Sequence, residues 1–488
     1  MDSAVRKGEA FDPTLYNEDL APIPRERRNW SWVNYSTVWM GMVHNVVAYT
    51  TAAGLVAAGM SPWQALGTVA AANVILILAM WVNSIAGAKY GLPFPVLLRA
   101  AFGYRGAQVP VIIRGFVAIF WFAVQTYLGS LAVGLILGTF IPGWSSLDVS
   151  ILGMGLNGWI SFLIFWGLHA YVIFHGMERI KFFELWAGPL VIVAGLVLVG
   201  WAVSVAGGVA PLFDQPSRLA PGEFWPLFAL SVTALVSVWS TLVLNIPDFT
   251  RFSRSQGDQM VGQAIGLPLT TIIFSFMSIA ITAGSTIAFG RPISAPDQLL
   301  LAFDNPAILL IGAATILIAT LSVNVAANIV SPAYDLVNLF PRRLDFVRAG
   351  LISILIGFLF VPWLWMDNPE TIFAVLGYIG GALGPVAGIM IADFYLVRRR
   401  NYDLASFYDR SGQYAYRSGW NTKALIATAL GLAVAFVGLV VPPLSGLLAY
   451  TWFLGLAVAF VAYAALMRSE SRPAAEAEPA MEIADELG

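Results

Sequence analysis

The chain has 488 residues, 58% of them hydrophobic and 11% charged, with a formal net charge of −2 and a mean hydropathy of +0.76. That balance excludes a soluble globular domain and describes a polytopic membrane protein. With no cysteine, disulfides, thiol chemistry and thiolate metal sites are excluded as well.

The first thirty residues are polar, carry Arg6, Lys7, Arg25, Arg27 and Arg28, and lack the apolar core of a cleavable signal peptide. Residues 1–29 are therefore expected to be a cytoplasmic tail. Apolar runs then predict twelve transmembrane helices, near 33–58, 63–88, 107–138, 155–175, 186–206, 224–246, 262–286, 303–331, 346–364, 371–396, 423–441 and 446–467. With the N-terminus inside, cytoplasmic segments and the helix ends beside them hold all of the 26 Lys and Arg residues except Arg218 and Arg291. That is the bias of cytoplasmic loops, and it puts both termini in the cytoplasm of a multi-pass protein of the cell membrane. The expected organisation is helices 1–5 over 30–206, helices 6–10 over 207–400, a cytoplasmic loop over 401–422, helices 11–12 over 423–467, and a disordered tail over 468–488, rich in Ala, Glu and Pro. Gly91 to Gly106 is too broken by proline to span and reads as a cytoplasmic, amphipathic connection. Five helices followed by five of opposite orientation hint at an inverted repeat.

Five spans carry candidate polar or aromatic groups, and polar ones at depth must face the bundle interior. In the first, Gly41, His44 and Asn45 sit mid-helix; a broken helix there would free carbonyls to ligate a cation. The plain alternative is a glycine for close packing and a histidine bonded to a neighbouring carbonyl. In the third, Trp121 and Gln125 are four residues apart and share a face, an indole beneath a carboxamide. An indole alone is more often core or lipid-facing; the buried glutamine shifts that balance. The fourth ends in His169 and His175, which read as structural. The sixth offers Trp239, a second aromatic plate. The eighth carries Thr320, Ser322, Asn324, Asn328 and Ser331 before Pro332 stops the helix, and Ser and Asn there also serve as helix–helix glue. Two indoles and the amides of Asn45, Gln125 and Asn328 have no formal charge, which suits an uncharged polar heterocycle. No Asp or Glu lies at a helix centre, so coupling falls to oxygens around a cation or to a protonatable His44.

Several of these motifs occur together in one family. Trp121 with Gln125, Asn-Ile-Pro-Asp-Phe-Thr-Arg (245–251), Ala-Ala-Asn-Ile-Val-Ser-Pro-Ala-Tyr (326–334) and Ala-Leu-Gly-Pro-Val-Ala-Gly-Ile-Met-Ile-Ala-Asp (382–393) closely resemble the first type of nucleobase–cation symporters. His-Asn (44–45), Lys-Tyr-Gly-Leu-Pro-Phe-Pro (89–95) and Ser-Val-Asn-Val-Ala-Ala-Asn (322–328) are most similar to the bacterial allantoin permeases of that family, with hydantoin permeases close by. The resemblance implies an all-α fold with a leucine-transporter-like five-plus-five inverted repeat and two extra C-terminal helices. It implies that Trp121 and Trp239 sandwich a ring, that Gln125, Asn328 and Asn45 bond its edges, and that Leu376, before the Gly380-Gly381 kink of the tenth helix, helps close the outward gate. It also implies a sodium site drawn from Gly41, His44, Ala319 and Ser322. There Val323 replaces the threonine of the sodium-coupled pattern, so the coupling ion is H+ or Na+. Val238 stands where the family pairs a glycine with Trp239, which alters the pocket's shape.

The expected function is a secondary active transporter that imports a small neutral nitrogen heterocycle, allantoin first, with hydantoins, dihydropyrimidines, uracil or cytosine as alternatives. Lipid and substrate are the expected partners; no cofactor and no nucleic acid are expected, and a monomer is. A membrane-embedded enzyme would need a nucleophile, metal cluster or acid–base pair at depth, and a channel would need repeated polar rings along a pore. Neither pattern is found in the sequence.

Overall fold

A computed structural model describes residues 11–44, 46–293, 295–364 and 369–470, with backbone alone described at 46–47, 176–185, 369–374 and 376–377. Among the described residues, ten helices are long and apolar enough to cross a membrane. A broken first span and a shorter eleventh helix complete the predicted twelve.

The break in the first span separates α1 (Trp32–Val43) from α2 (Val46–Ala57). Next, α3 (Pro62–Tyr90) starts at a capping box of Ser61 with Gln64 and a proline in its first turn. It stops at Gly91, whose φ of 70° only glycine adopts freely. The helix α4 (Phe94–Phe102) leads into α5 (Gln108–Phe140), α6 (Leu156–Phe174) and α7 (Gly176–Ala206). The second half holds α8 (Phe224–Asn245), α9 (Gln256–Ala264) running into α10 (Thr270–Phe289), then α11 (Pro306–Asn328), α12 (Val330–Leu339), α13 (Phe346–Phe358) and α14 (Pro369–Ala392). Last come α15 (Thr422–Ala435) and α16 (Thr451–Leu466), and α16 packs broadly on α14. The one sheet among the described residues is a two-residue hairpin, Ser150–Ile151 with Met154–Gly155.

The basic connections meet at one face. Arg28 donates to the Ala88 carbonyl at 2.7 Å, Lys89 to Arg400 at 2.8 Å, and Arg251 to Asp19 and Ala21 at 2.8 and 2.7 Å. Arg218, one of the two exceptions to the charge rule, donates instead to Val56 at the other end of the first span. The charge alternation read from the sequence is thus a property of one surface.

One expectation needs correction and two gain detail. The segment from Gly91 to Gly106, read as an amphipathic connection, contains the helix α4, and every residue of that helix is buried. Arg99 donates there to the carbonyls of Leu15 and Phe407 and to Asn338 Oδ1, at 2.9, 2.8 and 2.5 Å. Burial pulls its guanidinium down to about 10, which leaves it charged at neutral pH. The N-terminal segment, the 401–421 connection and α12 supply those acceptors for both terminal nitrogens of Arg99, while its Nε has no partner among the described residues. Second, Pro332 does not stop its helix. The chain bends at Ile329 (φ −119°) and resumes as α12, because Pro332 lacks the N–H that would close on the Asn328 carbonyl. Third, α14 is one helix across Gly380-Gly381, where close packing is a second use of the pair. A Cβ at Gly380 would lie 2.2 Å from that of Ser237, so this glycine lets α14 approach α8.

Candidate functional site

The wall formed by α5 and α11 is set by side-chain bonds between them. Asn324 Nδ2 lies 3.1 Å from the Phe122 carbonyl and 3.0 Å from Thr126 Oγ1. Further along, Arg114 meets Asp335 at 3.2 Å, both buried. Numbers rise along one helix as they fall along the other, so the two run antiparallel. Asn328, one turn beyond Asn324, therefore comes level with the turn that bears Trp121. Trp121 and Gln125 are 7% and 4% exposed, and Gln125 Oε1 has no hydrogen-bond partner among the described residues. Asn328 donates Nδ2 to Asn324 Oδ1 at 2.9 Å and keeps its own oxygen and second N–H uncommitted among those residues. Buried amides left open in this way are groups a guest must satisfy.

The facing wall comes from α8 and α14. Val238 packs in one apolar cluster with Trp121 and with Val375 and Ile379 of α14. Trp239, 8% exposed, stands edge-on to Trp39 of α1 at 5.9 Å between ring centroids. The α8 helix stays unbroken past Val238 to Asn245, where Asn245 Nδ2 donates to Ser331 Oγ. Trp121 and Val238 thus share one apolar cluster, whereas Trp239, one residue further on, packs in the main core with Trp39. Leu376 lies within α14 as backbone only, and Asn45 lies outside the described residues.

At the break in the first span, α1 ends at Val43 and His44 caps it. His44 Nδ1 bonds the Met40 carbonyl and the ring stands edge-on to Phe274 at 4.7 Å. Its Nε2 is buried without a partner among the described residues, as is Thr320 Oγ1. His44, Thr320 and Ala319 line one cavity of about 370 Å³ with Tyr49, Phe274, Thr315 and otherwise apolar neighbours, among them residues of α7, α10 and α11. The Gly41 backbone packs against Gly188 of α7, where a Cβ would come within 2.9 Å of the Gly41 nitrogen. Ser322 and Val323 are both buried, but Val323 brings only hydrocarbon. A sodium ion takes oxygen ligands, so carbonyls and Ser322 would have to hold it with one oxygen fewer. Among the described residues no cluster of three His, Asp or Glu side chains exists.

A model of the family described as "permease for cytosine/purines, uracil, thiamine, allantoin" matches residues 22–455. The chain belongs to this family. The allantoin permease of Bacillus subtilis (strain 168) is 45% identical over 468 residues, 95% of each chain. The hydantoin permease of Microbacterium maritypicum is 29% identical, over 87% of this chain and 85% of that one. Among solved structures, the nucleobase-cation-symport-1 transporter Mhp1, closed with bromovinylhydantoin bound, superposes with a TM-score of 0.77 at 25% identity, over 93% of this chain and 96% of that one. A Na+-coupled sialic acid symporter, at a TM-score of 0.60 and 13% identity, shares the fold. The all-α, leucine-transporter-like architecture expected from the resemblance is therefore the one the chain has, and this permease is a transporter and not an enzyme.

Within the permease, one group was missed at the level of sequence. His169 is fully buried and its Nε2 lies 3.0 Å from Asn324 Nδ2, beneath Asn328. Thr126, next to Gln125, belongs to the same network. The signal available was the run of amides in the eighth span. Their partners lie 155 and 198 residues away, and no local spacing reveals them.

Proposed function

We propose that this permease imports a small, flat, uncharged nitrogen heterocycle, with allantoin as its substrate, by cation-coupled alternating access. The observation that carries the reading is the pair of carboxamides, Gln125 and Asn328, on the wall that bears Trp121, with no charged side chain bonded to either among the described residues. Amide edges pair with lactam and ureide edges, and an indole face takes a flat ring; an ionic guest would leave a charge unpaired. The extent of likeness to an allantoin permease supports the same choice. In this reading Trp121 and Trp239 hold the ring, Gln125, Asn328 and Asn45 bond its edges, Val238 narrows the pocket, and Leu376 closes over it from α14. Rocking of one helix group against the other then opens the site to the cytoplasm.

In this reading the basic face lies in the cytoplasm and the residues named above need no second chain, so a monomer suffices. The coupling ion is a proton taken by His44 Nε2, because Val323 withholds an oxygen from the region of Gly41, Ala319 and Ser322. The test is uptake of labelled allantoin into cells, with hydantoin and uracil as competitors, in sodium and sodium-free buffer and with a protonophore. Saturable uptake that survives sodium removal and collapses with the protonophore is expected. Uptake linear in concentration would overturn the transporter pocket, and strict sodium dependence would overturn the proton.

A further inference from the structure

The direction in which Asn328 points its amide is set through Asn324 by groups on α5 and α6. His169 Nδ1 lies 2.8 Å from the carbonyl of Phe165, an acceptor only, so this nitrogen bears the ring proton. Its Nε2 faces the Asn324 side chain at 3.0 Å and offers a lone pair. A doubly protonated ring would set one N–H against another. Thr126 spends its hydroxyl proton on the Phe122 carbonyl at 2.7 Å, so towards Asn324 it too is an acceptor. Three acceptors, the Phe122 carbonyl, Thr126 Oγ1 and His169 Nε2, thus converge on one end of the Asn324 amide, at 3.0 to 3.1 Å. Only the NH2 end fits there. Asn324 Oδ1 must point the other way, where it accepts from Asn328 Nδ2 at 2.9 Å.

We infer that His169 is a positioning residue for selectivity: with Thr126 it locks Asn324, and through it Asn328, so that the pocket meets its guest with a carbonyl oxygen and a single N–H. The matching guest edge is a ring N–H beside a C=O, the lactam edge of hydantoins and ureides. A guest methylated at that nitrogen faces Oδ1 with nothing to donate and is rejected. This inference rests on the heterocycle reading above and adds the source of its discrimination. A purely structural histidine would predict otherwise: its loss would weaken all guests alike.

The test is competition against labelled allantoin uptake by hydantoin, 1-methylhydantoin and 3-methylhydantoin, in the full-length chain and with uptake normalised to protein in the membrane. The unmodified chain is expected to prefer hydantoin over at least one methyl derivative by about tenfold or more, since a buried acceptor left unpaired carries a penalty of that size. His169→Leu removes one acceptor, loosens the amide pair and is expected to shrink that ratio several-fold. His169→Gln retains an oxygen within reach of Asn324 and is expected to restore it. If His169→Leu does not reach the membrane, Thr126→Val, which removes an acceptor from the opposite side with little change of shape, is expected to shrink the ratio in its place. An unchanged ratio in the variants, or an equal loss for all three competitors, overturns the lock while leaving the transport reading intact. No saturable uptake by the unmodified chain sinks both.

Discussion

Gln125 and Asn328 can be tested one atom group at a time. Each contributes an amide that stays open among the described residues, so truncation removes guest bonds and few internal ones. Gln125→Ala is expected to lower uptake at sub-saturating allantoin at least tenfold with normal amounts of protein in the membrane, as loss of a buried polar contact requires. Full uptake by the variant would remove Gln125 from the pocket. Val323 invites the opposite kind of test. Val323→Thr is nearly isosteric and adds a hydroxyl beside Ser322, so sodium is expected to stimulate uptake by this variant and not by the unmodified chain. The measurement is initial rate against sodium concentration. Trp121 and Gln125 were legible in the sequence because both lie on one face of one helix, and spacing alone shows that. The His169–Asn324–Thr126 network was not, because it joins three helices and no single helix's periodicity encodes it.

Elements were legible in number and order, less so where a helix meets an obstacle. Proline predicts a stop at Pro332, yet the neighbouring helices keep α12 in line and the chain gives way only at Ile329. The α4 segment is apolar but too short and too proline-flanked to span, and what lets it bury Arg99 as a core helix, acceptors at Leu15, Phe407 and Asn338, lies far away in sequence. The glycine pair of α14 reads as a kink in sequence, and in space its first member is also a close contact. With a Cβ at Gly380 projected 2.2 Å from that of Ser237, Gly380→Ala must push α14 off α8 beside Val238 and Trp239. The expected outcome is a several-fold loss of maximal uptake rate, larger for Gly380→Val, whereas Gly54→Ala, which meets nothing within 4 Å, is expected to transport normally. Equal rates for Gly380→Val and the unmodified chain would show that this approach of α14 to α8 is dispensable.

For the whole molecule, the distribution of charge is the fact with the widest reach. Helix composition sets how many spans there are, and only the basic residues set which way the bundle is inserted. Their gathering at one face is more than a statistical bias. Arg28, Lys89, Arg99 and Arg251 all donate to backbone carbonyls of other connections, so the face is held together by the residues that also orient it. Inverting the molecule would carry this bonded, cationic layer across the bilayer. Because the chain has no cysteine, its orientation can be read with single introduced thiols against a silent background. Gln215, exposed on the connection beside Arg218, and Ser411, exposed on the 401–421 connection, mark opposite ends. A membrane-impermeant maleimide is expected to label Gln215→Cys in intact cells, and to label Ser411→Cys only after the membrane is opened. Labelling of Ser411→Cys in intact cells would put the basic face outside, and the route drawn for the substrate would then run in reverse.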